Sequence, residues 1–406
     1  MSTLLIKNIG SLVTSPDSEI KKGKKQGELL FLEDAYILCE EEKIKEIGHG
    51  DLPQADEVID AQGCLVTPGL VDPHTHLVFG GWRQNEMAMK LSGAGYLDIL
   101  KAGGGILSTV KATREASKEE LYFKAKEALD EMLELGTTTC EAKSGYGLDL
   151  KEEVKQLEVI RELNEKHEMD LVATFLGAHA YPEEYKSDHE AYVEQVCDMI
   201  PYIAEHGLAQ FCDVFCETGV FNVEETRKIL LKGQEYGLRS KIHADEIDAI
   251  GGSVLAGELH AISAEHLIVC NAEGIRALSQ GNVIACLLPA TSLYLSADFA
   301  KARQMIENDV AIALGSDYNP GSCPCLNLQL VMTLACQKYR MRPEEVLNAV
   351  TINAANAIGR AEQVGSLETG KQADIVLWNA KDLNYICYRM GSNLVKQVIK
   401  KGKTVA

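Results

Sequence analysis

No stretch of this 406-residue chain approaches the roughly 18 apolar residues of a membrane-spanning helix. The opening Met1-Ser2-Thr3-Leu4-Leu5-Ile6-Lys7 is too short an apolar run for a secretory signal. A soluble, cytoplasmic protein is expected. Positive charge is also scarce: 40 Lys and Arg stand against 60 Asp and Glu, a net charge of −20. That balance argues against nucleic acid and anionic membranes as partners, and an anionic small substrate would need a basic group placed for it. The twelve cysteines are scattered along the chain, and Cys323-Pro324-Cys325 has no second pair at zinc-ribbon spacing. Most therefore read as reduced core residues, and a disulfide scaffold is excluded. Gly103-Gly104-Gly105 lacks the Lys-Ser/Thr of a phosphate loop and reads instead as a flexible active-site loop. There is no internal repeat, low-complexity tract or linker.

What is present is an ordinary globular composition, 46% hydrophobic, in a repeating pattern. From about Ala125 onward a short apolar strand, a loop and an amphipathic helix recur, as in parallel βαβ units. Counting from the strand that leads into His74 and His76, strands follow at Thr137–Glu141, Leu171–Phe175, Cys212–Cys216, Ser240–His243, Ala264–His266, Val283–Leu287 and Val310–Leu314. Helical patterns fall at Lys118–Leu135, Lys151–Lys166, Glu190–Glu205 and Glu224–Tyr236. The eight strands predict an α/β fold, a TIM-like (β/α)₈ barrel over residues 67–360. Strand-like pieces at Leu4–Ile6, Ala35–Leu38, Lys45–Ile47, Asp374–Trp378 and Leu394–Val398 predict a small β-sandwich domain built from residues 1–66 and 361–406.

The run Pro68-Gly69-Leu70-Val71-Asp72-Pro73-His74-Thr75-His76 carries the first chemical signal. Side chains at i and i+2 of an extended chain share a face, so His74 and His76 can ligate one metal ion. Residues just past the strand ends line one mouth of such a barrel. His179 follows the third strand, His243 the fifth, His266 the sixth and Asp317 the eighth. Taken singly, each histidine reads as a hydrogen-bonded structural residue and Asp317 as a turn former after Gly315-Ser316. Taken together they form a His/His/His/Asp site of the kind that holds a catalytic metal. Glu246, three residues after His243, reads either as a helix-N-terminal carboxylate or as an acid/base group above the metal.

This set resembles the amidohydrolase superfamily along the whole chain. A narrower match, to its cyclic-amide hydrolases of histidine degradation, is carried by Arg83 and Gln84, Lys143-Ser144-Gly145-Tyr146-Gly147, Gly177-Ala178-His179, His243-Ala244-Asp245-Glu246, Ser263-Ala264-Glu265-His266-Leu267 and Ser316-Asp317-Tyr318-Asn319-Pro320-Gly321. The resemblance implies hydrolysis of the ring C–N bond of 4-imidazolone-5-propanoate to N-formimidoyl-L-glutamate. It implies one Zn²⁺ or Fe³⁺ ion per subunit, held by His74, His76, His243 and Asp317, and a homodimer.

In the same reading Asp317 and His266 deprotonate and orient water. Glu246 binds the ring nitrogens and carries a proton to the leaving nitrogen, and His179 hydrogen-bonds the substrate or the developing oxyanion. Arg83 answers the propionate, aided by Tyr96 and Tyr146. Asn319, Gly321 and Ser322 contact ring or product, with Ser322 standing where Thr is expected. The strand ending Phe215-Cys216-Glu217 has no lysine to become a bridging carbamate, and Lys143 comes too early in the barrel for that role, so a single ion is expected. Two alternatives stay open: a cytosine- or guanine-type aminohydrolase, which shares the metal chemistry but gives Arg83 no carboxylate to read, and a non-catalytic scaffold of the same fold.

Overall fold

A computed structural model describes residues 2–93 and 104–406. The chain opens with strands β1 (Thr3–Thr14), β2 (Leu30–Glu40), β3 (Lys43–His49), β4 (Glu57–Asp60) and β5 (Leu65–Pro68). It continues through β6 (Leu70–Asp72), β7 (Thr137–Lys143), β8 (Asp170–Ala178), β9 (Phe211–Cys216), β10 (Arg239–Ala244), β11 (Ser263–His266), β12 (Ile284–Leu287) and β13 (Ile312–Leu314). It closes with β14 (Ile375–Trp378), β15 (Val395–Lys400) and β16 (Lys403–Thr404). Among the described residues, β6 to β13 lie side by side in chain order as one eight-stranded sheet, and every pairing within it is parallel. Most of these strands are buried along their whole length, because helices cover the outside and side chains fill the inside.

The helices start where their sequences supply caps. Ser117 opens the helix Lys118–Glu134: its hydroxyl accepts from Glu120 N–H at 3.1 Å, while the Glu120 carboxylate accepts from Ser117 N–H at 2.7 Å. Leu121, Ala125, Ala128, Leu129, Met132 and Leu133 then recur at helical spacing and are buried against the barrel. Asn222 and Glu225 repeat the same reciprocal cap before the helix Val223–Glu235.

Closure falls beyond the ends of the strands themselves. β6 stops at Asp72, and the histidine segment that follows makes an isolated parallel bridge, Thr75 to Tyr318. Asp317 N–H donates to His74 C=O at 3.0 Å, and His76 N–H donates to Tyr318 C=O at 2.9 Å. On the other side Lys143 N–H donates to Thr75 C=O at 3.0 Å. The first and last strands of the barrel are thus joined at the rim that carries His74, His76 and Asp317.

The remaining strands form a second sheet in the order β16-β15-β14-β5-β1-β2-β3, with β4 on β1. The two ends of the chain meet where β14 runs antiparallel to β5, Ile375 opposite Pro68. Leu4, Ile6, Ile37, Val66, Ile375 and Ile399 belong to a separate small core. Two details differ from the sequence reading. β1 and β2 are much longer than their apolar centres, and β4 was not expected, because Glu-Val-Ile-Asp is short, flanked by acids and mostly exposed. Trp378 ties this sheet to the barrel: it is fully buried in the barrel's core, and its Nε1–H donates to Thr67 Oγ1 at 2.9 Å. No helix among the described residues is long and apolar enough to cross a membrane.

A second tie is ionic. Lys400 on β15 is fully buried and lies 2.7 Å from Asp170 at the start of β8 and 2.6 Å from Asp374. Replacing Lys400 by Met leaves both carboxylates without their shared cation. The expected loss of stability is about 3 kcal/mol, seen as a lower urea midpoint with an unchanged slope. An unmoved midpoint means that the ion pair adds no net stability.

Candidate active site

Four strand ends place the polar groups at one mouth of the barrel. His74 Nε2 and His76 Nε2 lie 3.4 and 3.6 Å from the same oxygen, Asp317 Oδ1. The His243 ring, from the end of β10, is centred 4.7 Å from that of His74, and His266, closing β11, is 5.3 Å from His243. The second Asp317 oxygen accepts from Thr291 Oγ1 at 2.7 Å, which turns Oδ1 toward the histidines. His266 and Asp317 sit at φ of 66° and 55°, a left-handed backbone that costs a non-glycine residue about 1–2 kcal/mol. Strained backbone of this kind persists where the surroundings over-determine it, as at reactive sites.

These groups fit a metal ion. Donor atoms of His74, His76 and Asp317 lie within 4.8 Å of one another, as do those of His74, His243 and His266. His74 Nε2 and His243 Nε2 are buried without a hydrogen-bond partner, a state costing about 1–3 kcal/mol per group unless a ligand answers it. Burial drives His74 and His76 well below the usual imidazole range, so both rings are neutral with lone pairs to donate. For His243 burial pulls the same way, but the Asp213 carboxylate outweighs it and the net direction is upward.

Beneath these groups lies a layer that the sequence reading missed. Glu265 Oε2 is 2.9 Å from His74 Nδ1, and Asp213 Oδ2 is 3.0 Å from His243 Nδ1. Each holds the far side of its ring, which presents Nε2 to the site. Lys143 Nζ lies 2.8 Å from Asp213 and 2.9 Å from Glu141; Lys241 Nζ lies 3.2 Å from Glu141 and 3.5 Å from Glu265. All five charged residues have at most 1% of their surface exposed. Lys143 is therefore engaged in ion pairs, and β9 presents no lysine. The signal was available in the alternation Glu141-Ala142-Lys143, which puts two opposite charges on one face of a buried strand.

Above these groups is a cavity of about 750 Å³ whose lining includes His76, Arg83, Tyr146, His179, His243, Glu246, His266, Asp317, Asn319 and Ser322. Glu246 Oε2 is 3.7 Å from His266 Nε2. Burial pushes Glu246 up to about 6 and His266 down to about 4. His179 stacks on His76 at 4.9 Å with Nδ1 3.0 Å from Gly145 C=O, and burial lowers it to about 3. Arg83 is already engaged: Nε and Nη2 donate to the two Glu86 oxygens at 2.8 and 3.0 Å. The other nitrogen, Nη1, lies over Gly321, where a Cβ would come within 2.1 Å of it.

Asn319 is committed within its own loop. It donates to Asp317 C=O at 2.7 Å and accepts from Gly321 and Ser322 N–H at 2.9 and 2.7 Å. Tyr96 and Gly103 lie outside the described residues. Gly104 lines the cavity, and Gly105 precedes the helix Ile106–Glu115, its N–H donating to Glu86 at 2.6 Å. Cys323 and Cys325 are free, as are all the cysteines, and only Cys325 and Cys336 are not buried.

Comparison with known proteins places this geometry. The amidohydrolase family profile matches residues 65–405. An imidazolonepropionase of Alkaliphilus metalliredigens is 52% identical over 414 residues, covering 100% of this chain and 98% of its own. One of Fusobacterium nucleatum is 52% identical over 408 residues, covering 99% and 98%. Among solved structures, Escherichia coli guanine deaminase superposes with a TM-score of 0.77 at 15% identity, covering 100% of this chain and 99% of its own. The zinc complex of atrazine chlorohydrolase from Arthrobacter aurescens gives 0.70 at 19%, covering 99% and 95%. At such identities these two show a shared fold.

The carboxylate behind each histidine gives a test of the site that does not depend on turnover. Asp213→Asn removes the charge behind His243 and is expected to weaken metal affinity about 10–100-fold, measured by competition with a chelator. Unchanged affinity would remove Asp213 from the ligand-orienting role.

Proposed function

The chain belongs to the amidohydrolase family and, within it, to the imidazolonepropionases; from that premise we propose how its own residues open the ring of 4-imidazolone-5-propanoate to give N-formimidoyl-L-glutamate in histidine degradation. The observation that carries the reading is half-identity to imidazolonepropionases over essentially the full length of both chains. A metal cofactor agrees with the family and with the buried donor cluster. We assign one ion, zinc or iron, to His74, His76, His243 and Asp317, since imidazole and carboxylate donors suit either metal.

When bound, such an ion supplies a Lewis acid that makes hydroxide available near neutrality. The protein's share is proton handling and position. Asp317, fixed through Oδ2 by Thr291, and the neutral His266 orient and deprotonate the attacking water. Glu246 accepts a proton as a carboxylate and returns it to the departing ring nitrogen; at about 6 it is matched to both tasks. His179 is neutral and gives its one N–H, at Nδ1, to Gly145 C=O, so Nε2 faces the substrate as a hydrogen-bond acceptor. The propionate meets Arg83 on the guanidinium edge not used by Glu86, with Tyr96 and Tyr146 as hydroxyl donors. Gly321 contributes by being bare, because any side chain there would displace Arg83. Ser322 and Asn319 complete the wall beside the ring.

The direct test is turnover of freshly generated 4-imidazolone-5-propanoate by metal-replete protein, with cytosine and guanine in parallel. Formimidoylglutamate is the expected product. Ammonia released from a nucleobase instead would keep the metal site and overturn the reading of Arg83.

Glu246→Gln is expected to retain metal and lose about 10²–10⁴-fold in kcat. Because burial raises the Glu246 pKa, its ionised form is lost as the pH falls through about 6. The acid limb of kcat/KM should therefore fall near that value, above the ordinary carboxylate range. A limb that persists unchanged in Glu246→Gln belongs to another group.

A further inference from the structure

We infer that Glu217 is a positioning residue for Glu246; the inference rests on the reading of Glu246 as the proton carrier. Glu217 follows β9, is 1% exposed, and lies on a different loop from Glu246. Its carboxylate gathers the backbone of the Glu246 segment. Oε2 accepts from Glu246 N–H at 3.1 Å and Ile247 N–H at 2.9 Å, and Oε1 accepts from Asp248 N–H at 3.0 Å. Three consecutive peptide groups are thus oriented by one side chain, and Thr218 N–H adds a fourth donor at 2.8 Å.

Glu217 is itself held in place. Its N–H donates to Phe221 C=O at 3.0 Å, Val220 N–H donates to its C=O at 3.1 Å, and Gly219 supplies the positive φ of 82° that this tight turn requires. Phe221 is buried and stacks on Tyr181 at 4.5 Å. On its other side the Glu246 segment is fixed through Asp245. This residue is at φ 53°, its Oδ2 accepts from Ser253 Oγ at 2.5 Å, and its C=O accepts from Val269 N–H at 2.9 Å. Apolar packing gives little further help, since Ile247 is 62% exposed. The position of the Glu246 backbone therefore depends on Asp245 and on the Glu217 carboxylate.

The same arrangement occurs across the cavity. Glu153 accepts from the N–H groups of Gly145, Gly147 and Leu148 at 3.1, 2.8 and 2.8 Å. That fixes the loop carrying Tyr146 and the carbonyl that orients His179.

Glu217→Gln preserves size but turns an NH₂ toward backbone N–H groups that now meet an oxygen. The expected result is a fall in kcat of about 10–100-fold, the scale of an ångström-sized misplacement, with KM and metal content little changed. The deciding measurement is a double-mutant cycle with Glu246→Gln. If Glu217 acts through Glu246, Glu217→Gln has no further effect on kcat in the Glu246→Gln background. A full, additive loss there, or a loss of bound metal in Glu217→Gln, overturns the inference while leaving the role of Glu246 intact. Near-normal turnover of Glu246→Gln alone overturns both. If Glu217→Gln does not fold, Glu217→Asp, which keeps the charge and withdraws it by one methylene, is read in the same cycle.

Discussion

The structure turns on a charge cage buried inside the barrel. Glu141, Lys143, Asp213, Lys241 and Glu265 come from four different strands, and each bridges at least two others or a ligand histidine. Isolated, any of these charges would cost several kcal/mol at such depth; together the two lysines offset three carboxylates and leave one net negative charge beneath the His74 and His243 rings. That surplus suits a cation above it. The cage also fixes ring orientation, because His74 is held by Glu265 of β11, across the barrel from β6, and His243 by Asp213 of the adjacent β9.

How much of this could be read in advance depends on the kind of signal. His74, His76, His243, His266 and Asp317 stood out because each is a polar residue closing an apolar strand, and their meeting follows from the barrel alone. The cage did not stand out. Asp213 and Lys143 are 70 residues apart, and nothing in either strand's pattern names the other as partner. Glu217 was noted for what its strand lacks, a lysine, while its contacts to a distant loop depend on the conformation of that loop. Among the outer strands, β4 escaped notice because it pairs through backbone groups without an apolar stripe.

An acidic chain holds its cavity arginine by local pairing. In a chain of net charge −20, Arg83 is kept at the cavity wall by Glu86, which also accepts from Gly105 N–H ahead of the helix Ile106–Glu115. One carboxylate thereby sets the guanidinium and the start of the neighbouring helix together. In the proposed function the tail would meet an arginine already turned and partly neutralised, which favours a bidentate contact over a loose long-range pull.

The bridge between Thr75 and Tyr318 has a topological meaning. It joins chain segments separated by most of the barrel sequence, a contact with a large loop to close and therefore slow to form. The donors flank that bridge on both sides, His74 and His76 around Thr75 and Asp317 beside Tyr318. An ion held as proposed by all three would act as a clasp on the seam, coupling its departure to the parting of the first strand from the last.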